Sequence, residues 1–271
     1  MKVTVITSTY NCIDELDITI SSFRENKRSN IEWIIVDGNS TDGTVSLIEQ
    51  NSDIVTKYIS EDDSGIYDAW NKACALASGD WIIFLGAGDR FINSSLSPFL
   101  SQLELIDPAK HRIVYGNVEL VDKNGRLLHT YTKYDESSWE CGRPSLPCHQ
   151  GVFQHRSLFD SECVFDTRYK IAADSKFLFN AMKETSVYYI DVDISCMQMF
   201  GVSTNPSDIL KVVAELKVLR NELGITMPIA SYLSFHCKAY IKHFLSVYCG
   251  YSVFSKVAKL YTQIKKKDHL Y

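Results

Sequence analysis

The sequence predicts an α/β fold with a mostly parallel, doubly wound sheet and a C-terminal helical appendage. Three observations lead to this. Short apolar, β-branched runs at residues 3–8, 32–36, 56–59 and 80–85 alternate with segments of helical period, the pattern of repeated βαβ units. The run Asp80-Trp81-Ile82-Ile83-Phe84-Leu85 is apolar without alternation, as a strand covered on both faces must be. It is followed by Gly86-Ala87-Gly88-Asp89, and in open α/β sheets ligands sit just beyond the carboxyl ends of such strands.

Each element has its own justification. Val3-Thr4-Val5-Ile6-Thr7-Ser8 reads as the first strand. Ile13, Leu16, Ile20 and Phe23 recur at helical spacing and predict a helix over 13–25. A second strand at 32–36 runs into the turn cluster Asp37-Gly38-Asn39-Ser40-Thr41-Asp42-Gly43-Thr44, followed by a short helix to about Gln50 and a strand at 56–59. Ser64 is the expected N-cap of a helix over 65–77, with Gly79 just past its end. The next strand is expected to end at Asp89. Residues 112–120 and 127–132 flank an Asn124-Gly125 hairpin signal. The stretch 137–150, with Pro144 and Pro147, reads as a mobile loop; a helix over 173–182 and a strand over 187–192 follow, then two or three helices after Pro206.

The expected division is a catalytic-type α/β domain over 1–206 and an amphipathic helical region over 207–271. The net charge of −5 excludes no partner class, but its distribution is uneven. Residues 207–271 hold ten Lys/Arg against four Asp/Glu, or +6, which leaves −11 for residues 1–206. A basic tail with aromatic residues, ending in Lys265-Lys266-Lys267, is expected to meet an anionic surface, and amphipathic basic helices bind membrane interfaces. The eight cysteines form no CxxC pair or zinc spacing, and the opening residues lack a signal-peptide core. The expectation is a reducing, cytoplasmic setting with free thiols.

Asp37 at a strand end suits a ribose-gripping acid, so a nicotinamide-dependent oxidoreductase competes. That reading requires G-x-G-x-x-G after the first strand, where the chain has Thr7-Ser8-Thr9-Tyr10-Asn11-Cys12, without glycine. A pyrophosphate cannot press against that turn in the usual way.

Four motifs in order carry a resemblance: Thr9-Tyr10-Asn11; residues 36–44 from Val36-Asp37-Gly38; residues 60–73, including Asp63-Ser64-Gly65-Ile66-Tyr67-Asp68-Ala69-Trp70-Asn71-Lys72; and Gly86-Ala87-Gly88-Asp89. Together they resemble the family 2 glycosyltransferases over about residues 1–205. The resemblance implies the GT-A fold, a Rossmann-like nucleotide-binding domain with a mostly parallel sheet, a sugar-nucleotide donor and a divalent cation, Mn²⁺ or Mg²⁺. It implies inverting transfer of a hexose or N-acetylhexosamine from a UDP-sugar to a saccharide on a lipid diphosphate. The implied setting is bacterial O-antigen (lipopolysaccharide), capsule or exopolysaccharide synthesis, with the enzyme peripheral on the inner face of the plasma membrane and no nucleic-acid partner. A catalytically impaired sugar-nucleotide-binding protein is the alternative.

Carried over by position, Thr9, Tyr10 and Asn11 match the loop along the nucleoside, and Asp37 matches the acid that contacts the base. Asp63 and Lys72 lie in the segment that closes over the nucleotide, with Asp62 beside them. Asp89 matches the last acid of the DxD-type motif, the metal ligand. Gly88, counted with the nucleotide-sugar-binding positions, and Gly86 stand where relatives often carry acidic or amide residues. Asp174, in Tyr169-Lys170-Ile171-Ala172-Ala173-Asp174, matches the catalytic base; the same position near a helix start also suits the helix dipole. His149, in Pro147-Cys148-His149-Gln150-Gly151, is a candidate contact to acceptor or donor phosphates. Trp139 is a candidate to stack on an acceptor sugar. Gly201-Val202-Ser203 resembles the end of the family domain. Trp70 and Trp81 fall on apolar faces and are expected in the core.

Overall fold

The computed structural model describes residues 1–26, 28–122, 124–140, 142–160, 164–199 and 208–249. In chain order the first unit contains β1 (Val3–Thr9), α1 (Ile13–Glu25), β2 (Ile31–Asp37), α2 (Thr44–Gln50), β3 (Lys57–Ser60), α3 (Ile66–Leu76), β4 (Trp81–Phe84), β5 (Arg90–Phe91), α4 (Leu96–Leu103), β6 (Ile113–Val121) and β7 (Leu127–Tyr131). The short strands β8 (Trp139–Glu140) and β9 (Arg143–Pro144) come next. They are followed by β10 (Val152–His155), α5 (Ala173–Ala181), β11 (Val187–Gln198), α6 (Ile209–Glu222) and α7 (Ile229–Tyr248). Contacts divide the chain into one unit of residues 1–136 and 145–199 and another of 137–144 and 200–271.

The first unit is organised by a nine-stranded sheet in the order β3-β2-β1-β4-β10-β6-β11-β5, with β7 beside β6. β3, β2, β1, β4, β6 and β11 run one way, while β5, β7 and β10 run the other, so the sheet is mostly parallel. Register is set by which faces must be buried. Val3 and Val5 of β1, Trp33 and Ile35 of β2 and Ile83 of β4 face α1, whose Leu16, Ile20 and Phe23 cover them. Phe23 stacks on Trp33 at 4.2 Å, a pair worth about 1 kcal/mol beyond its burial. The Trp33 indole N–H, which burial would otherwise strand, donates to Thr7 Oγ1 at 3.0 Å. The opposite face carries an aromatic cluster of Tyr67, Trp70, Phe84 and Phe165.

Several expectations need correction. The strand expected to reach Asp89 ends at Phe84; Leu85 to Asp89 form a turn, because Gly88 at φ +91° cannot continue an extended strand. Ser64 does not cap α3: Gly65 occupies that position, and the Ser64 N–H donates to Asp68 Oδ2 at 2.9 Å. The stretch 137–150, read as a loop, contains the β8–β9 ladder and leads into a 3₁₀ turn, His149–Gly151. α4 and β10 were not anticipated, and the strand expected over 187–192 runs on to Gln198, pairing with both β6 and β5. Trp70 and Trp81 are buried as expected. The Gly201–Ser203 segment and the Lys265–Lys267 run lie outside the described residues.

The second unit holds α6 packed on α7, where the Arg220 guanidinium lies 5.0 Å from the Tyr232 ring centre. Among the described residues no helix is long and apolar enough to cross a membrane.

At the sheet edge where β1 and β2 begin, Glu32 is buried and accepts from Lys2 Nζ at 2.7 Å, Thr4 Oγ1 at 2.7 Å, Ser78 N at 2.5 Å and Ser78 Oγ at 2.6 Å. Burial alone would raise its pKa, but these donors outweigh it and lower the pKa from 4.5 to about 2. A carboxyl whose folded pKa is depressed stabilises the fold above its unfolded pKa and loses that contribution as pH falls through the folded one. The advantage of the native chain over Glu32→Gln in urea unfolding is therefore expected to be on the order of 3 kcal/mol at pH 7. It should shrink as pH falls from 4.5 towards 2.

Candidate functional site

The parallel register of β1 with β2 and β4 brings three strand ends to one edge, with Thr9 opposite Asp37 and β4 ending at Phe84. Asp37 is fully buried there. Its carboxylate accepts from Thr9 Oγ1 (2.8 Å), Ser40 Oγ (2.5 Å), Ser40 N (2.8 Å) and Ser60 Oγ (2.8 Å). Those donors take up the roughly four acceptor positions of a carboxylate, so contact with a nucleobase would replace one of them. Asp37 thus ties β1, β3 and the 38–40 turn together.

Tyr10, Asn11 and the half-buried Asp63 face outward on this edge. The Tyr10 ring is 67% exposed. A Cβ at Gly38 would lie 2.8 Å from Asp63 Oδ2 and 3.3 Å from the Tyr10 ring, so glycine here lets Asp63 and Tyr10 close on the same spot. Asp63 Oδ1 accepts from Gly65 N at 2.8 Å. Asn11, at φ +46°, reaches across to the 38–44 turn: its Oδ1 accepts from Thr41 N at 2.8 Å, and its N–H donates to Ser40 Oγ at 2.8 Å. Lys72 Nζ donates to the Asp62 carbonyl at 2.9 Å and pairs with Glu61 at 2.8 Å, which pins the 61–62 segment to α3. Burial pulls the Lys72 pKa down, but Glu61, Asp68 and Asp63 more than offset this and hold it above its ordinary value.

Asp89 sits in the turn after β4 with 8% exposure. Burial pushes its pKa up to about 7, while the backbone N–H groups of Gln198 and Gly86 pull it down; the Gln198 contact is 3.2 Å to Oδ1. The turn is held by Thr19, a fully buried residue of α1 that sequence reasoning missed. Its hydroxyl donates to the Asp89 carbonyl at 2.8 Å and accepts from Gly88 N at 2.9 Å. A Thr in the apolar Ile18-Thr19-Ile20 context was the available signal. Gly88 has φ +91°, which L side chains rarely adopt, and a Cβ on Gly86 would lie 2.9 Å from Asp89 Oδ2.

The residues fit a hard cation in one respect. A buried carboxyl supported by two backbone N–H groups lacks a compensating charge, which a divalent ion would supply. Among the described residues no three His, Cys, Asp or Glu side chains come together, so Asp89 would be the lone protein carboxylate and donor phosphates would complete the shell.

On the neighbouring side, Asp174 is the second residue of α5. Its Oδ1 accepts from Ser175 N at 2.7 Å and lies 3.1 Å from the Tyr67 hydroxyl. Its Oδ2 has no hydrogen-bond partner among the described residues. β10 runs antiparallel to β4, so the 3₁₀ turn before it arrives at the same edge and sets His149 against Phe84 and Trp70. The imidazole stacks on Trp70 at 5.2 Å with an 8° interplanar angle, and its buried Nε2 has no hydrogen-bond partner among the described residues. Burial lowers the His149 pKa, while the Asp174 carboxylate acts in the other direction. Trp70 donates to Ser8 Oγ at 3.3 Å, linking this aromatic floor to the end of β1. Trp139 belongs to the second unit, half-buried on β8 with Pro144 as its ladder partner.

The family model described as "Glycosyl transferase family 2" matches residues 4–161, and the chain belongs to that family. It is 26% identical over 210 residues to a PGL/p-HBAD biosynthesis glycosyltransferase of Mycobacterium bovis (strain BCG / Pasteur 1173P2), covering 74% of this chain and 78% of that relative. Among solved structures it is similar to S. aureus TarS, with a TM-score of 0.61 at 18% identity over 92% of this chain and 44% of the longer TarS chain. It is also similar to the mannosyltransferase PcManGT from Pyrobaculum calidifontis in complex with GDP-Man and Mn²⁺, with a TM-score of 0.57 at 21% identity over 88% of this chain and 69% of that one. The chain has the GT-A glycosyltransferase fold with C-terminal helices.

Because Asp89 is buried with its pKa raised, ionising it above pH 7 works against the fold. Asp89→Asn is expected to raise the melting temperature of the cation-free protein at pH 8 by about 2–4 °C, as about 1 kcal/mol of relief would. The same variant should abolish any further rise on adding Mn²⁺ with UDP, as read by differential scanning fluorimetry.

Proposed function

We propose that the chain is an inverting, metal-dependent hexosyltransferase. It moves a hexose or N-acetylhexosamine from a UDP-sugar to a saccharide on a lipid diphosphate. The setting is the cytoplasmic face of a bacterial membrane, in assembly of a surface polysaccharide such as O-antigen, capsule or exopolysaccharide. The observation that carries this reading is Asp174 Oδ2, without a hydrogen-bond partner among the described residues, on the same aromatic floor that joins the strand edge bearing Thr9, Tyr10 and Asp63. A carboxylate oxygen left free beside a nucleotide-type edge is what an acceptor hydroxyl needs. A UDP donor is supported by the structure of S. aureus TarS residues 1–349 in complex with UDP-GlcNAc, which has the same fold. The GDP-Man complex of PcManGT makes GDP-sugars the comparison to test.

In the transfer, the acceptor hydroxyl gives its proton to Asp174 Oδ2 as its oxygen bonds to the anomeric carbon. The bond from that carbon to the diphosphate oxygen breaks on the opposite face, and its electron pair leaves with the nucleoside diphosphate. An α-linked donor thereby yields a β-linkage. A divalent cation held by Asp89 would supply Lewis-acid stabilisation of the departing charge. Tyr10 and Asp63 would bracket the nucleoside, and Asp37 would keep the edge in shape beneath it. His149 Nε2 would serve the acceptor or the donor phosphates.

The membrane part of the reading rests on α7. Ile229, Leu233, Tyr240, Ile241, Phe244, Val247 and Tyr248 are all exposed. At about 100° per residue they fall within an arc of about 120°. Ala239, buried, lies on the other side of the helix, Lys238 lies beyond one border of the apolar arc and Lys242 lies opposite it. With the further lysines of the basic tail, this face suits an anionic lipid surface.

Two tests follow. A fluorimetric screen of UDP-GlcNAc, UDP-glucose, UDP-galactose and GDP-mannose, with and without Mn²⁺, should find one UDP-sugar that stabilises by about 2.7 kcal/mol at a hundredfold its Kd. Asp174→Asn should bind that donor equally well while its turnover falls about 10²–10⁴-fold. Binding by the native chain without any turnover would mark a nucleotide-binding protein instead. Separately, Leu233→Glu/Phe244→Glu should lose co-sedimentation with phosphatidylglycerol-containing vesicles yet keep the donor-induced thermal shift; unchanged sedimentation would remove the membrane reading.

A further inference from the structure

Tyr67 is unassigned by anything above, yet it is the side chain that ties the donor-side helix to the proposed base. It lies in the second position of α3, 4% exposed, with its ring held edge-on to Trp70 at 5.3 Å and nearly parallel to Phe165 at 5.9 Å. A ring packed on two sides has one orientation, so its hydroxyl is delivered to one place. There the oxygen is 2.7 Å from the Ile171 carbonyl and 3.1 Å from Asp174 Oδ1.

A phenol has a single proton to donate, and the Ile171 carbonyl and Asp174 Oδ1 both stand within reach. When Asp174 is a carboxylate, a charge-assisted bond to Oδ1 is the stronger of the two. Once Oδ2 has taken the acceptor's proton, Oδ1 is a neutral carbonyl oxygen, and the shorter contact to Ile171 becomes the better one. Rotation about the C–O bond exchanges them without moving a heavy atom. Ser175 N holds Oδ1 at 2.7 Å throughout, so the carboxyl plane stays fixed and Oδ2 remains the oxygen turned to the acceptor.

We propose that Tyr67 is a positioning residue for the transfer step, whose hydroxyl pairs with Asp174 Oδ1 before proton transfer and with the Ile171 carbonyl after it. This rests on Asp174 being the base. Tyr67 from α3 and His149 from the 3₁₀ turn both face Asp174, so the test must separate them. The reorganisation avoided is small in atoms and large in effect, because a base that must drag its partners along as it gains a proton raises its own barrier.

The test is a carboxyl ¹³C NMR titration of the full chain labelled at aspartate, with the Asp174 signal identified by its loss in Asp174→Asn. In Tyr67→Phe the midpoint of that signal should move to higher pH by about one unit, since a donor to the charged form has gone. Placing 3,5-difluorotyrosine, a stronger donor of the same shape, at position 67 should move it to lower pH. His149→Gln should leave the Tyr67→Phe displacement in place. With the donor found in the screen, Tyr67→Phe should lose about tenfold in kcat at unchanged donor KM, the equivalent of one net hydrogen bond. A midpoint that moves in neither variant overturns the proposal. The fluorinated protein carries the test alone if Tyr67→Phe does not fold. Turnover that survives in Asp174→Asn would instead overturn the base assignment, and the titration, which needs no substrate, still reports on Tyr67 separately.

Discussion

The strand edge proposed to bind the donor depends on one buried carboxylate, Asp37. An ionised acid with no exposure costs several kcal/mol unless hydrogen bonds replace its water, and here four neutral donors do so. The four donors come from three pieces of backbone that have to be in place: Thr9 at the end of β1, Ser60 at the end of β3, and Ser40, which supplies two, in the turn after β2. The carboxylate therefore sets the register of three strand ends and the path of the 38–40 turn at once. Asn11 and Asp42 extend the same network. Asp42 Oδ1 accepts from Thr44 N and Oγ1, and its Oδ2 accepts from Ile13 N, so one acid serves the starts of both α1 and α2. What remains outward, the Tyr10 ring and Asp63 closing over Gly38, is the part free to meet a ligand.

α3 carries that order to Asp174, the proposed base. Asn71 makes a reciprocal pair with the Phe165 backbone, its Nδ2 donating to the carbonyl at 2.8 Å and its Oδ1 accepting from the N–H at 2.9 Å. Trp70 reaches Ser8 on one side and stacks with His149 on the other. Tyr67 reaches Ile171 and Asp174. The Lys170 ammonium donates to the Ser64 carbonyl, closing the loop before α5 onto the turn before α3. One helix thus holds both halves of the proposed site by polar contacts across an aromatic floor, and a shift of α3 would disturb the strand edge at Asp37 and Asp174 together.

Much of this was legible in the sequence where the signal was local. β1, α1, β2, α2, β3 and α3 came out within a residue or two because each combines a clear period with flanking turn residues. α4 was hidden by Pro98, which a helix tolerates only in its first turn and which reads as a breaker otherwise. β10 is four residues long and identified by its partners β4 and β6, both distant in sequence. The same holds for the far end of β11, whose pairing with β5 no local pattern announces. Site residues followed the same division. Asp37, Asp63, Asp89 and Asp174 are acids at chain positions that stand out; Thr19 and Tyr67 sit on buried helix faces, where a polar atom is indistinguishable from core until its partners are known.

The glycines at 86 and 88 are the clearest case of geometry explaining composition. At Gly88 the backbone is in the left-handed region, and its N–H is fixed by Thr19 Oγ1 and the Glu15 carbonyl, so an L residue there would strain a turn that is hydrogen-bonded on both sides. At Gly86 any Cβ would crowd the Asp89 carboxylate itself. An acid at position 88 would strain the turn, and a side chain at position 86 would need the Asp89 carboxylate to move. All the negative charge the turn can offer is therefore gathered on Asp89, in the most desolvated place available. A single buried carboxylate is a weak cation ligand alone and a strong one beside a diphosphate, because the phosphate oxygens supply the remaining ligands that the turn leaves out. Were Asp89 to hold a cation, the same geometry that leaves positions 86 and 88 without acids would make that affinity conditional on the donor being present, so donor and cation would enter the proposed site as one unit.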